Sequence, residues 1–317
     1  MDLTPDRLTL GVACLGNLFE EMSDRQAQAL LESAWDAGIR SFDTAPHYGL
    51  GLSERRLGDF LGSMPAGAAR VSTKVGRLLV DNPDGAKQWD GDLFRVRATR
   101  LRQWDFTADG IRRSLADSLR RLRIDRVETL YLHDPEQSPD PEAAVSEGMA
   151  ALSELRSDGM TQHVGVGSMD VAMLAEAAQN CDVTELMVAG RHTLVDDSAS
   201  KSVLPMARKR GVRVAATAVF NSGLLAQPEP GDLFDYGQAS AALVALARRI
   251  ADVCRAHGTD LPTAALHYPT RDNAVTSVVV GMRTPDQVRQ NIERVQSPPD
   301  SALWRALAAE GLLQAAV

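Results

Sequence analysis

The feature that most constrains the fold is a regular alternation of short apolar runs with amphipathic helical patterns, repeated from one end of the chain to the other. Such alternation is typical of βα units that build a parallel sheet. The runs with strand character are residues 8–15, 39–43, 70–75, 127–132, 162–166, 184–189, 212–219 and 275–280. The length of 317 residues suits one large domain or two ordinary ones. Residues 77–107 and 221–238 break the regular spacing, but no interdomain linker interrupts the alternation, so we predict one domain over residues 1–317.

Helix boundaries are marked by capping residues. Ser23 and Gln26 form a predicted capping box ahead of a helix that ends at Gly38. A second N-terminus is predicted at Thr284, which is followed by proline and then by Gln287. Each of these helices adjoins a predicted strand, as the βα pattern requires.

Composition excludes several classes of function. The net charge of −8 leaves no basic surface for nucleic acid or an anionic membrane, so a small-molecule partner is favoured. No stretch of about 18 apolar residues predicts a membrane span, and the N-terminus does not resemble a secretion signal. Three well-separated cysteines, Cys14, Cys181 and Cys254, predict reduced thiols and a cytoplasmic protein. The oligomeric state is left open.

Four ionisable residues lie at or just after the ends of consecutive predicted strands: Asp43, Tyr48, Lys74 and His133. Strand ends converge at one edge of a parallel sheet, so these side chains are expected to meet. A buried Lys74 would favour the phenolate of Tyr48 and lower its pKa, while Asp43 would keep the lysine charged. Each residue alone has a structural explanation, as a turn cap, a loop aromatic, a strand-end cation or a hydrogen-bonding histidine. Their joint occurrence favours a catalytic site.

Three segments carry a family resemblance: FDTAPHYG at 42–49, STKVG at 72–76 and LHDP at 132–135. They resemble the signature of the aldo-keto reductase family. The resemblance implies an α/β fold, a single (β/α)8 TIM barrel with long βα loops at its C-terminal face, and an NAD(P)-dependent oxidoreductase without a Rossmann domain or a metal. The expected long loops are residues 77–107 and 221–238.

The same resemblance implies roles for the four strand-end residues. Tyr48 is expected to act as general acid and base, Asp43 and Lys74 to support it, and His133 to orient the substrate oxygen. A Schiff base on Lys74 is a weaker alternative, since Asp43 would stabilise the charged amine rather than free the nucleophile.

Cofactor-binding segments are implied at 164–170, 219–226 and 278–291. The candidate cofactor-binding residues are Ser168, Phe220, Asn221, Ser222, Gly223, Leu224, Gly281, Met282, Arg283, Gln287 and Asn291. Two positions depart from the family pattern: Ala189 stands where many relatives have glutamine, and Thr217 where they have a ring-stacking aromatic.

The choice of nucleotide depends on the last of these segments. Relatives that prefer NADP often have lysine and arginine where this chain has Gly281 and Gln287. NAD is therefore favoured over NADP. Arg283 is an alternative partner for a 2′-phosphate, or a surface residue.

Within the family, residues 76–79, 104–106, 188–199 and 219–226 resemble the branch of D-threo-aldose and L-fucose dehydrogenases, with pyridoxal 4-dehydrogenase as a close relative. The implied reaction oxidises a sugar hemiacetal at C1 to a lactone, or acts on pyridoxal. The alternatives are a general NADPH-dependent aldehyde reductase and a nucleotide-binding regulatory barrel with little turnover.

Substrate-binding candidates lie in the long segment 77–107. Trp89, Trp104 and Phe106 could stack on a sugar or pyridine face, although loop aromatics also serve as packing anchors. Asp90 and Asp92 are predicted to be a solvated acidic loop, with hydrogen bonding to substrate hydroxyls as the alternative.

Overall fold

Parallel strands alternating with helices build the structure, a computed structural model that describes residues 3–313. The strands are β1 (Leu8–Gly11), β2 (Ser41–Asp43), β3 (Arg70–Val75), β4 (Arg77–Asp81), β5 (Arg100–Trp104), β6 (Val127–His133), β7 (Thr161–Ser168), β8 (Glu185–Ala189), β9 (Arg213–Thr217), β10 (Leu233–Phe234), β11 (Gly237–Gln238) and β12 (Val275–Gly281). The helices are α1 (Asp24–Asp36), α2 (Leu52–Leu61), α3 (Ala108–Leu122), α4 (Pro141–Ser157), α5 (Val171–Asn180), α6 (Val203–Arg210), α7 (Ala241–Ala256), α8 (Leu261–His267), α9 (Pro285–Gln296) and α10 (Ser301–Ala309).

Eight of these strands close into a parallel barrel in the order β1-β12-β9-β8-β7-β6-β3-β2. The predicted (β/α)8 barrel is confirmed, and each of its strands overlaps one of the predicted runs. The prediction of one domain over 1–317 reaches residues outside the described part and stays a prediction.

The first predicted strand, 8–15, is too long. Strand β1 ends at Gly11, and Ala13–Gly16 form a 3-10 turn. The turn brings Gly16 against the backbone of Tyr48, where a Cβ would stand 2.6 Å from the carbonyl carbon of that residue. The apolar run 8–15 is therefore divided between strand β1 and the 3-10 turn.

Both predicted helix starts have the expected N-cap residue. Ser23 and Gln26 form a reciprocal capping box at α1. At α9, Thr284 accepts from the backbone N–H of Gln287, but the Gln287 side chain accepts from the backbone N–H of Arg283, one residue earlier than a capping box requires.

The long segment 77–107 is more ordered than a loop. Strands β4 and β5 pair as an antiparallel hairpin outside the barrel, with Arg77 opposite Trp104 at its base. The segment 221–238 contains the smaller hairpin β10–β11. Both insertions follow the C-terminal ends of barrel strands, as predicted.

A small apolar cluster of the barrel strands consists of Tyr131, Met187, Ala215 and Val279. A larger apolar core lies between the strands and the surrounding helices. Among residues 3–313, none of the helices combines the length and apolarity needed to cross a membrane.

Candidate active site

Lys74 is the centre of the site at the C-terminal end of the barrel. Its Nζ lies 2.7 Å from Asp43 Oδ2, 2.9 Å from the carbonyl oxygen of Thr44 and 3.1 Å from the hydroxyl oxygen of Tyr48. An ammonium group has three protons to donate, and all three are directed to these partners. The structure thus brings Asp43, Lys74 and Tyr48 into direct contact.

The strand register explains how Asp43 reaches the lysine. Asp43 ends β2 opposite Ser72 of β3, two residues before Lys74. The Ser72 hydroxyl donates to Asp43 Oδ1 at 2.7 Å, while Oδ2 takes the lysine. Both carboxylate oxygens are therefore held, which orients the charge toward Lys74.

Tyr48 is positioned by a tightly packed turn. Gly49 has a φ of 61°, and a Cβ there would stand 2.3 Å from the carbonyl oxygen of Gly16, so only glycine allows this approach. Behind the turn, the Ser53 hydroxyl bonds Thr44 Oγ1 at 2.9 Å and the Val12 carbonyl at 2.7 Å. These contacts fix the hydroxyl of Tyr48 over the end of β3.

The electrostatics of the pair differ from the sequence prediction. Burial raises the pKa of Tyr48 above its ordinary value, and the opposing effect of Lys74 is smaller. For Lys74, burial alone would lower the pKa, but Asp43 and Tyr48 together outweigh it and the net shift is upward. The predicted lowering of the Tyr48 pKa is wrong, because burial outweighs the effect of the lysine charge. Tyr48 therefore carries its proton and Lys74 its charge.

His133 ends β6 beside these residues. Its ring stands perpendicular to the Tyr48 ring, with centroids 6.0 Å apart. Burial, followed by the positive charges of Arg77 and Lys74, lowers the pKa of His133 well below its ordinary value. The imidazole is therefore neutral, and its buried Nδ1 meets no hydrogen-bond partner within the described residues. A neutral ring can donate to or accept from a substrate oxygen without adding charge.

Charged residues that the sequence did not predict surround these four. The Arg77 guanidinium pairs with Asp134, contacts His47 Nδ1 at 3.3 Å and stacks on the Trp104 ring at 4.5 Å. Arg77 and Asp134 lie in or beside segments that carry the resemblance, yet their pairing across 57 positions of sequence follows only from the fold.

The prediction of a solvated acidic loop is wrong for Asp90. Its side chain is 6% exposed and receives two hydrogen bonds of 2.7 Å from Arg102. Arg102 also donates to the backbone carbonyl of His47 at 3.1 Å. Asp92 is more exposed and lies 3.5 Å from His47 Nε2. Hairpin pairing of β4 and β5 brings these charges to the barrel mouth.

The predicted substrate aromatics are held by packing contacts. Trp89 is half exposed beneath the guanidinium of Arg97, and Trp104 stacks on Phe106 with centroids 5.9 Å apart. Phe106 is buried against the glycine that follows β3. The ring of this segment that does pack beside Tyr48 is Phe94, at 5.9 Å. A substrate role for the three predicted aromatics stays a prediction.

Five of the predicted cofactor residues lie in the loop after β9, and two of them, Asn221 and Ser222, make side-chain hydrogen bonds. Asn221 is buried; its amide N–H donates to the Gly190 carbonyl at 3.3 Å, while Oδ1 has no partner among the described residues. The Ser222 hydroxyl accepts from the backbone N–H of Tyr236 at 2.9 Å, which ties the two ends of the 221–238 insertion together.

Other predicted cofactor residues make hydrogen bonds or packing contacts within the protein. Ser168 donates to Glu136 Oε1 at 2.7 Å and accepts from the backbone N–H of Asp170 at 2.8 Å. Phe220 packs against both apolar cores, and Leu224 is fully buried in one of them. These contacts account for the three predicted residues as packing or capping groups, and a cofactor contact stays a prediction.

In segment 278–291, the Arg283 side chain is hydrogen-bonded to the protein's own backbone. Its guanidinium donates to the carbonyl oxygens of Leu18, Glu20 and Glu21 at 3.0 to 3.2 Å. Of its neighbours, Met282 and Asn291 are buried, and the Asn291 side chain accepts from Arg294 at 3.0 Å. The guanidinium thus ties the loop after β1 to the start of α9.

The rim nevertheless has features that fit a dinucleotide. Gly223 and Gly281 have open space where a side chain would stand, so a ligand can approach their backbones. The buried acceptor Asn221 Oδ1 and the ring nitrogen of His133 are polar atoms without protein partners in residues 3–313. Such buried orphan groups favour a bound ligand that supplies the missing hydrogen bonds.

Comparison with known proteins agrees with this geometry. The model of the aldo/keto reductase family matches residues 7–308. The chain belongs to the aldo/keto reductase family. It is accordingly an oxidoreductase that uses a nicotinamide cofactor.

Two curated relatives cover almost the whole chain. A D-threo-aldose 1-dehydrogenase from Pseudomonas sp is 45% identical over 96% of this chain and 94% of its own. A pyridoxal 4-dehydrogenase from Microbacterium luteolum is 36% identical over 98% and 95%. Among solved structures, a glycerol dehydrogenase from Gluconobacter oxydans has a TM-score of 0.73 at 21% identity, over 96% of this chain and 90% of that one. That likeness supports the fold.

Proposed function

We propose that this enzyme oxidises an aldose at C1 to a lactone with NAD as the hydride acceptor. The observation that carries the proposal is the contact of Lys74 with both Asp43 and Tyr48 at the barrel mouth. The similarity to a D-threo-aldose 1-dehydrogenase over nearly the full length supports the sugar as substrate.

The residues of the site fit the chemistry of this oxidation. Tyr48 first loses its own proton to solvent, which the charge of Lys74 favours; its oxygen then accepts the proton of the anomeric hydroxyl, while the hydrogen on C1 leaves with its electron pair. Lys74 stabilises the tyrosine oxygen in its deprotonated form, and Asp43 keeps Lys74 charged through the cycle. Neutral His133 orients the substrate oxygen by a hydrogen bond. When bound, the oxidised nicotinamide supplies the hydride acceptor and a positive charge.

NAD is the proposed nucleotide rather than NADP. A 2′-phosphate is usually held by arginine or lysine side chains with free donors. Arg283, the arginine nearest the start of α9, directs its donors to three backbone carbonyls instead. A cytoplasmic location stays a prediction from the three free thiols.

The proposal is tested by following reduced nicotinamide absorbance with NAD or NADP and L-fucose, L-galactose, D-arabinose or pyridoxal. NAD-linked oxidation of an aldose is expected. Oxidation of pyridoxal alone would move the assignment to a pyridoxal dehydrogenase, the named activity of the second relative. Rapid NADPH-dependent reduction of simple aldehydes without sugar oxidation would support a general reductase, and no turnover in either direction would support a regulatory barrel.

Tyr48→Phe tests the proton relay. The variant removes only the hydroxyl that Lys74 contacts, so we expect kcat to fall at least about a hundredfold. Cofactor affinity, measured by quenching of tryptophan fluorescence, should change little because the ring is retained. Near-normal turnover in a folded variant would refute the role of Tyr48.

A further inference from the structure

His47, the residue before Tyr48, has a defined protonation state. A guanidinium can only donate, so the Arg77 Nη1 atom 3.3 Å from His47 Nδ1 makes that nitrogen an acceptor. Burial, followed by the charges of Arg77, Arg102 and Lys74, lowers the pKa of His47 to about 2. The ring is neutral and its single proton is on Nε2.

The Nε2–H group of His47 faces Asp92 across a gap. The distance to Asp92 Oδ2 is 3.5 Å, longer than a normal hydrogen bond between these atoms. The Asp92 side chain is 36% exposed, so solvent or a ligand reaches it. A donor and an acceptor therefore stand side by side without satisfying each other.

This pair lies beside the reacting groups. The His47 ring is 5.6 Å from the His133 ring and 6.0 Å from the Tyr48 ring, measured between centroids. Arg102 holds it in place by donating to the His47 carbonyl and by lying 4.0 Å from Asp92 through Nε. The spacing suits a substrate atom close to the carbon that reacts.

A hydroxyl group is the chemical match for such a pair, because it accepts one hydrogen bond and donates another. We propose that His47 and Asp92 together recognise a substrate hydroxyl one or two carbons from the reacting carbon, and so select polyhydroxylated substrates. The inference deepens the proposed function, on which it rests, by assigning residues to sugar selectivity. A site built to bind a hydroxyl discriminates against analogues that lack it, since its polar groups are then left unpaired.

The test compares two aldehydes that differ in hydroxyl groups. The kcat/KM for reduction by NADH is measured with glyceraldehyde and with propanal, and their ratio is taken for each protein. In Asp92→Ala the ratio should fall about tenfold or more, because the charged acceptor is lost. Asp84→Ala, which removes an exposed carboxylate from the same insertion, is the matched control and should keep the wild-type ratio.

His47 is tested by two variants. His47→Leu removes the donor and should lower the same ratio, whereas His47→Gln restores an N–H near Nε2 and should recover part of it. A purely structural role of His47 would change both aldehydes alike and leave the ratio constant.

The outcomes separate the inference from the proposed function. An unchanged ratio in Asp92→Ala, with active wild-type enzyme, overturns the inference alone. A wild-type enzyme that oxidises no aldose, but whose aldehyde ratio responds to Asp92→Ala, overturns the proposed function alone. A wild-type protein that reduces neither aldehyde contradicts both.

Discussion

Acidification should destabilise this protein through His47. The folded pKa of His47 is about 2, far below the value of about 6.5 expected in the unfolded chain. At any pH between these values the unfolded state binds a proton that the folded state excludes. The neutral, buried His47 therefore costs no stability above about pH 6.5. Below that pH the free energy of unfolding falls, because only the unfolded chain takes up the proton.

The magnitude follows from proton linkage. Each pH unit below the unfolded pKa costs about 1.4 kcal/mol for one such group. Between about pH 7 and pH 5, His47 should therefore lower the free energy of unfolding by about 2 kcal/mol. Only 12% of the side chain is exposed, so solvent does little to reduce the effect. His133 acts in the same direction, because its pKa is also lowered.

The assay is urea unfolding followed by tryptophan fluorescence at both pH values, for the wild type and for His47→Gln. The contribution of His133 and of the carboxylates is shared by both proteins, so the difference between them isolates His47. The wild type should lose about 2 kcal/mol more than the variant. If His47→Gln loses as much stability as the wild type on acidification, the inferred neutral, buried state of His47 is wrong.

Two further substitutions test packing and cofactor choice. Gly58→Ala should cost about 1 to 3 kcal/mol in urea unfolding, because its Cβ would stand 2.2 Å from the Arg121 carbonyl oxygen where α2 meets α3. Gly62→Ala, whose nearest contact would be 3.4 Å, is the control, and equal losses would contradict the argument. Arg283→Ala should reduce stability by about 1 to 3 kcal/mol while leaving the NAD to NADP ratio of kcat/KM within about threefold. A selective loss of NADP activity would instead make Arg283 a phosphate ligand.

The barrel was predictable because its signals are local. The barrel strands and the helices between them are marked by apolar periodicity and capping residues over about ten residues. Once the strands are known to be parallel, the meeting of Asp43, Lys74 and His133 follows from topology. The sequence therefore predicted the contact of Lys74 with Asp43 and Tyr48.

The charges around that contact were not predictable in the same way. Arg77 finds Asp134 across 57 positions, and Arg102 reaches His47 across 55. No periodic pattern encodes such pairs. The direction of the Tyr48 pKa shift was missed for a related reason: it depends on the depth of burial, which only the folded chain defines.

Much of the β4–β5 hairpin beyond Arg77 can change without altering the barrel strands. Within residues 3–313 the hairpin shares no hydrogen-bonded ladder with the barrel, yet it carries Asp90, Asp92 and Arg102 to the mouth. The proton-transfer residues belong to barrel strands or to the turn after β2. Mutations in the hairpin can therefore alter which molecules are accepted while the reaction itself is preserved. An evolving or engineered descendant could acquire a new substrate by exchanging this one insertion.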